Sequence, residues 1–218
     1  HCEAIQRNGL TLRMGASSRT LPVNCTDNPS SLPVPDIVVI AVKTYSVPEV
    51  LPHPPPLRGP ATIVVSVNNG IPWWYFHQDP AAPSSPQLDS VDPGGQQWLL
   101  LDPARAIGCV VYPACKIAAP GVIQHVSGNR FALGEPSGEK TERLQTLAGL
   151  LRNCGLKAVI KTRIRDEVWI KLWGNMAFNP SSVLTGATLE QICDHPDTRK
   201  LVKDMMIEAR RIGEMLGV

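Results

Sequence analysis

The runs Asp36-Ile-Val-Val-Ile-Ala-Val-Lys43 and Ala61-Thr-Ile-Val-Val-Ser-Val-Asn68 decide the fold class. Both are β-branched and continuous rather than alternating, as in strands buried on both faces of a parallel sheet covered by helices. Pro-rich segments bound them, and Thr44 to Leu57 between them leaves room for one short helix, Val47 to Leu51, before Pro54-Pro55-Pro56 interrupts it. Neighbouring parallel strands require a crossover, which is right-handed. The expectation is a strand–crossover–strand unit.

Working outward, Ile107 to Tyr112, Gly121 to Val126, Arg130 to Leu133 and Leu156 to Lys161 read as further short strands between Pro and Gly turns. Residues 78–96, with four prolines and a Gly-Gly pair, read as a surface loop. Glu139 to Asn153 is a helix with Leu144, Leu147, Ala148 and Leu151 on one face and Gly155 as its stop. Beyond Arg165 the pattern is helical throughout. Asp166 to Asn179 forms one helix, predicted to end where Pro180 disfavours continuation. Thr188 and Gln191 have capping-box spacing, and Asp197 to Leu216 is a long amphipathic helix. The domain division therefore falls at 1–165, strand-rich α/β, and 166–218, all helix.

Composition removes several function classes. Lys+Arg of 21 against Asp+Glu of 19 leaves +2 over 218 residues, which provides no basic nucleic-acid footprint. No apolar run reaches the 18 or more residues of a membrane span. The six cysteines have neither C-x-x-C nor zinc-ligand spacing and read as buried, reduced thiols of a cytoplasmic protein. Cys193-Asp194-His195 are adjacent in a short helix and point in different directions, so no metal site is expected. There is no G-x-S-x-G for a hydrolase. Trp73-Trp74-Tyr75-Phe76 has no basic flank and reads as packing rather than base stacking.

In open parallel sheets, ligands bind beyond the carboxyl ends of the strands. Lys43 closes the first run and Asn68-Asn69-Gly70 closes the second, so two polar groups stand at equivalent ends of neighbouring strands. The sharper pattern is Lys171, Asn175 and Asn179. Their i, i+4, i+8 spacing sets an ammonium and two carboxamides in a row on one side of a helix, with Val168, Trp169, Leu172, Met176 and Phe178 on the opposite faces. Asn is a poor helix former, and an exposed polar face would be built more cheaply from Glu, Lys or Gln. One cation and two amides suit a small anionic or carbonyl substrate, with Lys171 donating a proton to developing alkoxide charge.

The stretches Asp36–Lys43, Asn69-Gly70-Ile71, Gly108–Tyr112, Gly121–His125, Leu133–Gly138, Trp169-Ile-Lys-Leu-Trp-Gly-Asn175 through Asn179-Pro180, Leu184-Thr-Gly186 and Glu208–Gly217, in one order, resemble the ketopantoate reductase family (2-dehydropantoate 2-reductase). That resemblance implies a Rossmann-like parallel sheet binding NADPH, followed by a helical substrate and dimerisation domain, with a 2-oxo acid in the cleft between them. It implies Lys171 as the catalytic proton donor and Asn69, Asn175 and Asn179 as substrate contacts. It places Lys43 and Asn69 toward the cofactor, and it allows a homodimer. The family's G-x-G-x-x-G turn does not occur in these residues. By the resemblance, about 30 residues of a first β-α-β stretch and the last helices, with a serine and an acidic residue near the substrate, lie outside the chain. The sheet is thus expected to be incomplete at its N-terminus, the helical domain truncated, and the 218 residues alone inactive. Reduction of another branched 2-oxo acid, and a non-catalytic dinucleotide-binding module, are the alternative functions.

Overall fold

A computed structural model describes residues 1–51 and 59–218. The predicted Pro54-Pro55-Pro56 break lies outside the described residues. In chain order the first elements are α1 (Cys2–Asn8), β1 (Leu10–Met14), β2 (Ser17–Leu21), β3 (Ile37–Ile40), α2 (Val47–Val50) and β4 (Ile63–Ser66). Then come α3 (Gln96–Leu101), β5 (Ala106–Val111), β6 (Ala114–Ala119), β7 (Val122–Ser127), β8 (Arg130–Gly134), α4 (Glu142–Asn153) and β9 (Lys157–Ile160). The chain finishes with α5 (Ile164–Thr185), α6 (Leu189–Asp194) and α7 (Pro196–Met215).

The two deciding runs are β3 and β4, paired in parallel, in a five-stranded sheet of order β3-β4-β5-β8-β9. β5 continues the parallel direction, but β8 runs antiparallel to β5 and β9 parallel to β8, so the sheet is mixed rather than wholly parallel. One core lies on each face. Ile40, Val64, Trp74, Ala106, Val110 and Ala132 pack with Ile164 and Val168 of α5. Ile63, Val65, Ile107 and Leu133 pack with Leu144, Leu147 and Ala148 of α4. β4 has the two-sided burial that its continuous apolar run predicted, whereas β3, at the end of the sheet, buries only Ile40 and leaves Val39 57% exposed, so for β3 the expectation is wrong.

A second sheet, β2-β1-β7-β6, was half-hidden in the sequence. β7 matches the expected strand, but β1, β2 and β6 had no apolar run to reveal them, because β2 and β6 are exposed at every position. The loop predicted over 78–96 is also only partly a surface excursion. Asp92 is 1% exposed, and its carboxylate accepts from the backbone N–H groups of Gln97 and Trp98, both at 2.8 Å, which starts the unforeseen α3. The Trp73–Phe76 cluster is core, with each residue no more than 9% exposed. Arg165 fixes it by donating to the carbonyls of Tyr75 and His77 while pairing with Asp79 at 3.0 Å.

The expected end of α5 at Pro180 is wrong: the helix runs on to Thr185. A proline there removes one backbone donor and crowds the preceding turn. The continuation is held by burial of Ala177 and Ser181, with Ala177 packed beside Ile192 and Val202. The helix stops at Gly186, whose φ of 67° is the left-handed terminus that glycine adopts freely. The Thr188–Gln191 capping box is formed. α5 also starts two residues before the expected domain division, and Ile164 and Val168 belong to the core of the sheet.

Candidate active site

The site begins with two glycines. Gly108 of β5 and Gly134 of β8 are paired in register. A Cβ on Gly108 would lie 2.7 Å from Trp74 and 2.8 Å from Ile164, and one on Gly134 would lie 2.5 Å from the Lys161 carbonyl and 2.8 Å from Ile164. Their bareness lets the first turn of α5 sit directly on the sheet. Ile164, Val168 and Lys171 follow at i, i+4 and i+7, one stripe of the helix. That stripe faces inward, so Val168 shares the face of Lys171 instead of opposing it as the sequence suggested. Lys171 Nζ donates to the carbonyl of Val111, the last residue of β5.

Lys171, Val168 and Leu172 line a cavity of about 360 Å³ with Asn68, Asn69, Gly70, Trp74 and Cys109. Burial holds the Lys171 ammonium below the usual lysine range, a nearby Cys109 thiolate acting in the opposite sense. Burial likewise pushes the Cys109 thiol up to about 12, against the attraction of Lys171. Cys109 is therefore a neutral neighbour at physiological pH, and burial loosens the hold of Lys171 on its proton relative to an ordinary lysine.

Asn69 and Gly70 also border a second cavity of about 1080 Å³, lined with Thr44, Tyr45, Pro48, Ile71 and Val91. Gly70 has φ 94°, a left-handed conformation that favours glycine, and no atom lies within 4 Å of where its Cβ would be. The Asn69–Gly70 turn is thus a thin wall between a small cavity with a lysine and a large one at the carboxyl ends of β3 and β4. Asn68 secures the wall by donating to the Val42 carbonyl. Lys43 and Asn69 each stand three residues past the paired Ile40 and Ser66, so they occupy equivalent strand ends, as expected. Lys43 is exposed and lines neither cavity. Asn175 is half-buried and Asn179 exposed, further along α5, and neither lines the lysine cavity.

Sequence reasoning missed the group behind the lysine. Glu167, one turn before Lys171, is 5% exposed. Its carboxylate accepts from Arg130 at 2.8 Å and the Tyr112 hydroxyl at 2.9 Å, and it pairs with Lys161 at 2.8 Å. Burial would raise its carboxyl, but hydrogen bonds from Lys161, Arg130 and Tyr112 outweigh that and hold it below the usual range. With those partners Glu167 is committed, although its i, i+4 spacing would otherwise favour pairing with Lys171. That spacing was the available signal. Its real partners, on β8, after β5 and after β9, are too remote in sequence to be inferred.

Among the described residues no cluster of three or more His, Cys, Asp or Glu could hold a metal ion, and no helix is long and apolar enough to cross a membrane. A mostly parallel α/β sheet with helices on both faces and cavities beyond its strand ends belongs to the class of α/β folds that bind dinucleotides and other ligands there. The comparisons narrow the class. The family model described as "Ketopantoate reductase PanE/ApbA" matches residues 1–138, and its C-terminal counterpart matches residues 163–218. A 2-dehydropantoate 2-reductase of Mesorhizobium japonicum is 48% identical over all 218 residues, which span 67% of its length. One from a Nostoc species is 24% identical over 99% of the chain and 63% of its own length. A crystallised candidate ketopantoate reductase from Ralstonia solanacearum superimposes with a TM-score of 0.95 at 39% identity, covering 99% of this chain and 67% of that one. The chain belongs to the ketopantoate reductase family, whose members reduce 2-dehydropantoate with NADPH.

Proposed function

We propose that the full-length protein reduces 2-dehydropantoate to pantoate in pantothenate biosynthesis, in the cytoplasm, and that Lys171 donates the proton. The observation that carries this reading is the half-buried Lys171 ammonium beside Asn69, with the nearest carboxylate of its own helix occupied by other partners. The larger cavity fits the nicotinamide end of NADPH: it lies beyond β3 and β4, and Gly70 leaves open space there for close approach. When bound, NADPH supplies the hydride. The chain's own groups do the rest. Lys171 orients the C2 ketone oxygen, stabilises the negative charge that grows on it, and gives up Nζ–H to it. Burial makes that proton easier to lose than an ordinary lysine's.

Asn69 is assigned to the substrate and to the cofactor because it borders both cavities. Asn175 and Asn179 extend the polar row from Lys171 toward the rest of the oxo acid, and Lys43, which lines neither cavity, is assigned to the cofactor only by its place at the neighbouring strand end. In this reading residues 1–165 carry NADPH, and residues 166–218 provide the substrate side and a homodimer contact. A Staphylococcus aureus ketopantoate reductase described as dimeric shares the fold, with a TM-score of 0.72 at 16% identity. The test is NADPH oxidation by the full-length protein with ketopantoate and with other branched 2-oxo acids. Turnover that prefers ketopantoate and collapses in Lys171→Ala supports the reading. Equal turnover of another branched acid would reassign the substrate.

A further inference from the structure

Cys2 opens α1 and Cys25 lies in the extended segment after β2, 23 positions later, yet their sulfurs are 3.4 Å apart. Gln6, one turn along α1 from Cys2, donates to the Cys25 carbonyl at 2.8 Å. Cys25 is therefore docked on α1 at two points rather than passing it by chance. Both side chains are partly exposed, and among the described residues this is the one thiol–thiol contact. Against the expectation of buried thiols, only Cys109 is buried, in the lysine cavity; Cys115 and Cys154 are exposed and Cys193 is half-buried, all three without a sulfur partner among the described residues.

We propose that Cys2 and Cys25 form a reversible disulfide that staples the segment after the β1–β2 hairpin to the start of α1. A disulfide bond is about 2.05 Å long, so the sulfurs must close by roughly 1.4 Å, within reach of side-chain rotation. The oxidant is a low-molecular-weight disulfide of the glutathione class. One cysteine loses its proton, and its thiolate attacks a sulfur of that disulfide. A mixed disulfide forms, and the first small thiolate leaves with the electron pair of the broken bond. The second cysteine, also deprotonated, attacks the mixed disulfide and displaces the second small thiolate. Two protein thiols are oxidised, one external disulfide is reduced to two thiols, and these take up the two protons. The hydrogen bond from Cys25 is the main cause that raises the Cys2 thiol above its usual value.

The staple would act on the least anchored part of the molecule. α1 buries no residue and β2 is exposed throughout. Closing a ring across them restricts the unfolded hairpin more than the folded one.

The experiment incubates the full-length wild-type protein with oxidised or reduced glutathione, blocks free thiols, and maps the digest by mass. The expected result is a linked peptide pair containing Cys2 and Cys25, reversed by dithiothreitol. Tryptic cleavage after Arg19 should slow several-fold in the oxidised form, and Tm should rise by about 5 °C. Cys25→Ser should abolish the linkage while Cys115→Ser keeps it. Stable glutathione adducts on either cysteine without the cross-link, or a link to any other cysteine, would overturn the pairing. A Cys2–Cys25 link that leaves the Arg19 cleavage rate unchanged would overturn the staple.

Discussion

In the five-stranded sheet every residue of β4 and all but one of β5 are buried, whereas in the four-stranded sheet every residue of β2 and β6 is exposed. The first is clamped between α4 and the start of α5, and the cavities open at its strand ends. The second is joined by its ladder and a few side-chain contacts, such as the 2.8 Å bond between Thr11 and Thr20. The contrast shows where this fold invests rigidity. A proton donor must be held within a fraction of an ångström of its target, and only the doubly covered sheet can do that. The exposed sheet tolerates change.

Substitutions at four positions of the full-length enzyme test that contrast, from the largest expected effect to the smallest. Lys171→Ala should lower kcat by about 10²–10⁴-fold while leaving NADPH affinity nearly unchanged. The wild-type rate of reduction should fall as pH rises through a value below that of an ordinary lysine, because the donor is then deprotonated. A flat alkaline profile would show that another group gives the proton.

Glu167→Ala strips three partners of their shared carboxylate and should cost about 3 kcal/mol of stability in a denaturant titration. Glu167 has its folded value depressed, so its stabilisation is present above the ordinary carboxylate range and is lost as pH falls through the folded value. Glu167→Gln should therefore be less acid-sensitive than wild type. If both variants matched wild type at neutral and acid pH, the network would be a surface ornament. Asn179→Ala should raise KM for the oxo acid about tenfold, about 1.4 kcal/mol, with at most an equal loss in kcat. A pure kcat defect would count against a substrate-binding role. Ile117→Thr, on the exposed face of β6, should change stability by no more than about 0.5 kcal/mol. A loss comparable to that of Glu167→Ala would erase the distinction between the two sheets.

What could be read in the sequence follows the same divide. β4 announces itself because two-sided burial demands unbroken Val and Ile; β3 carries the same apolar run although only Ile40 of it is buried. β1, β2 and β6 do not, since exposed strands carry Ser, Thr, Arg and Lys like any loop. α3 was invisible because its start depends on a buried Asp92 in a segment rich in loop residues. Pro180 misled for a physical reason: its local cost is real, but burial of Ala177 and Ser181 outweighs it. Lys171, Asn69 and Lys43 could be placed from strand ends and helix spacing alone. Glu167, Cys109 and Trp74 could not, because their roles arise from contacts between elements far apart along the chain.

The wall formed by Asn69 and Gly70 bears on handedness. The ketone carbon of a 2-oxo acid is planar and prochiral. If its oxygen points to Lys171 in the small cavity, only one of its two faces is turned toward the large cavity across the wall. Addition from that side yields an alcohol of a single configuration once the carboxylate and the branched chain are held in distinct places, since turning the acid about its C=O axis would present the opposite face. The wall would set the side from which hydride arrives, and a further contact that tells the carboxylate from the branched chain would complete the choice of enantiomer.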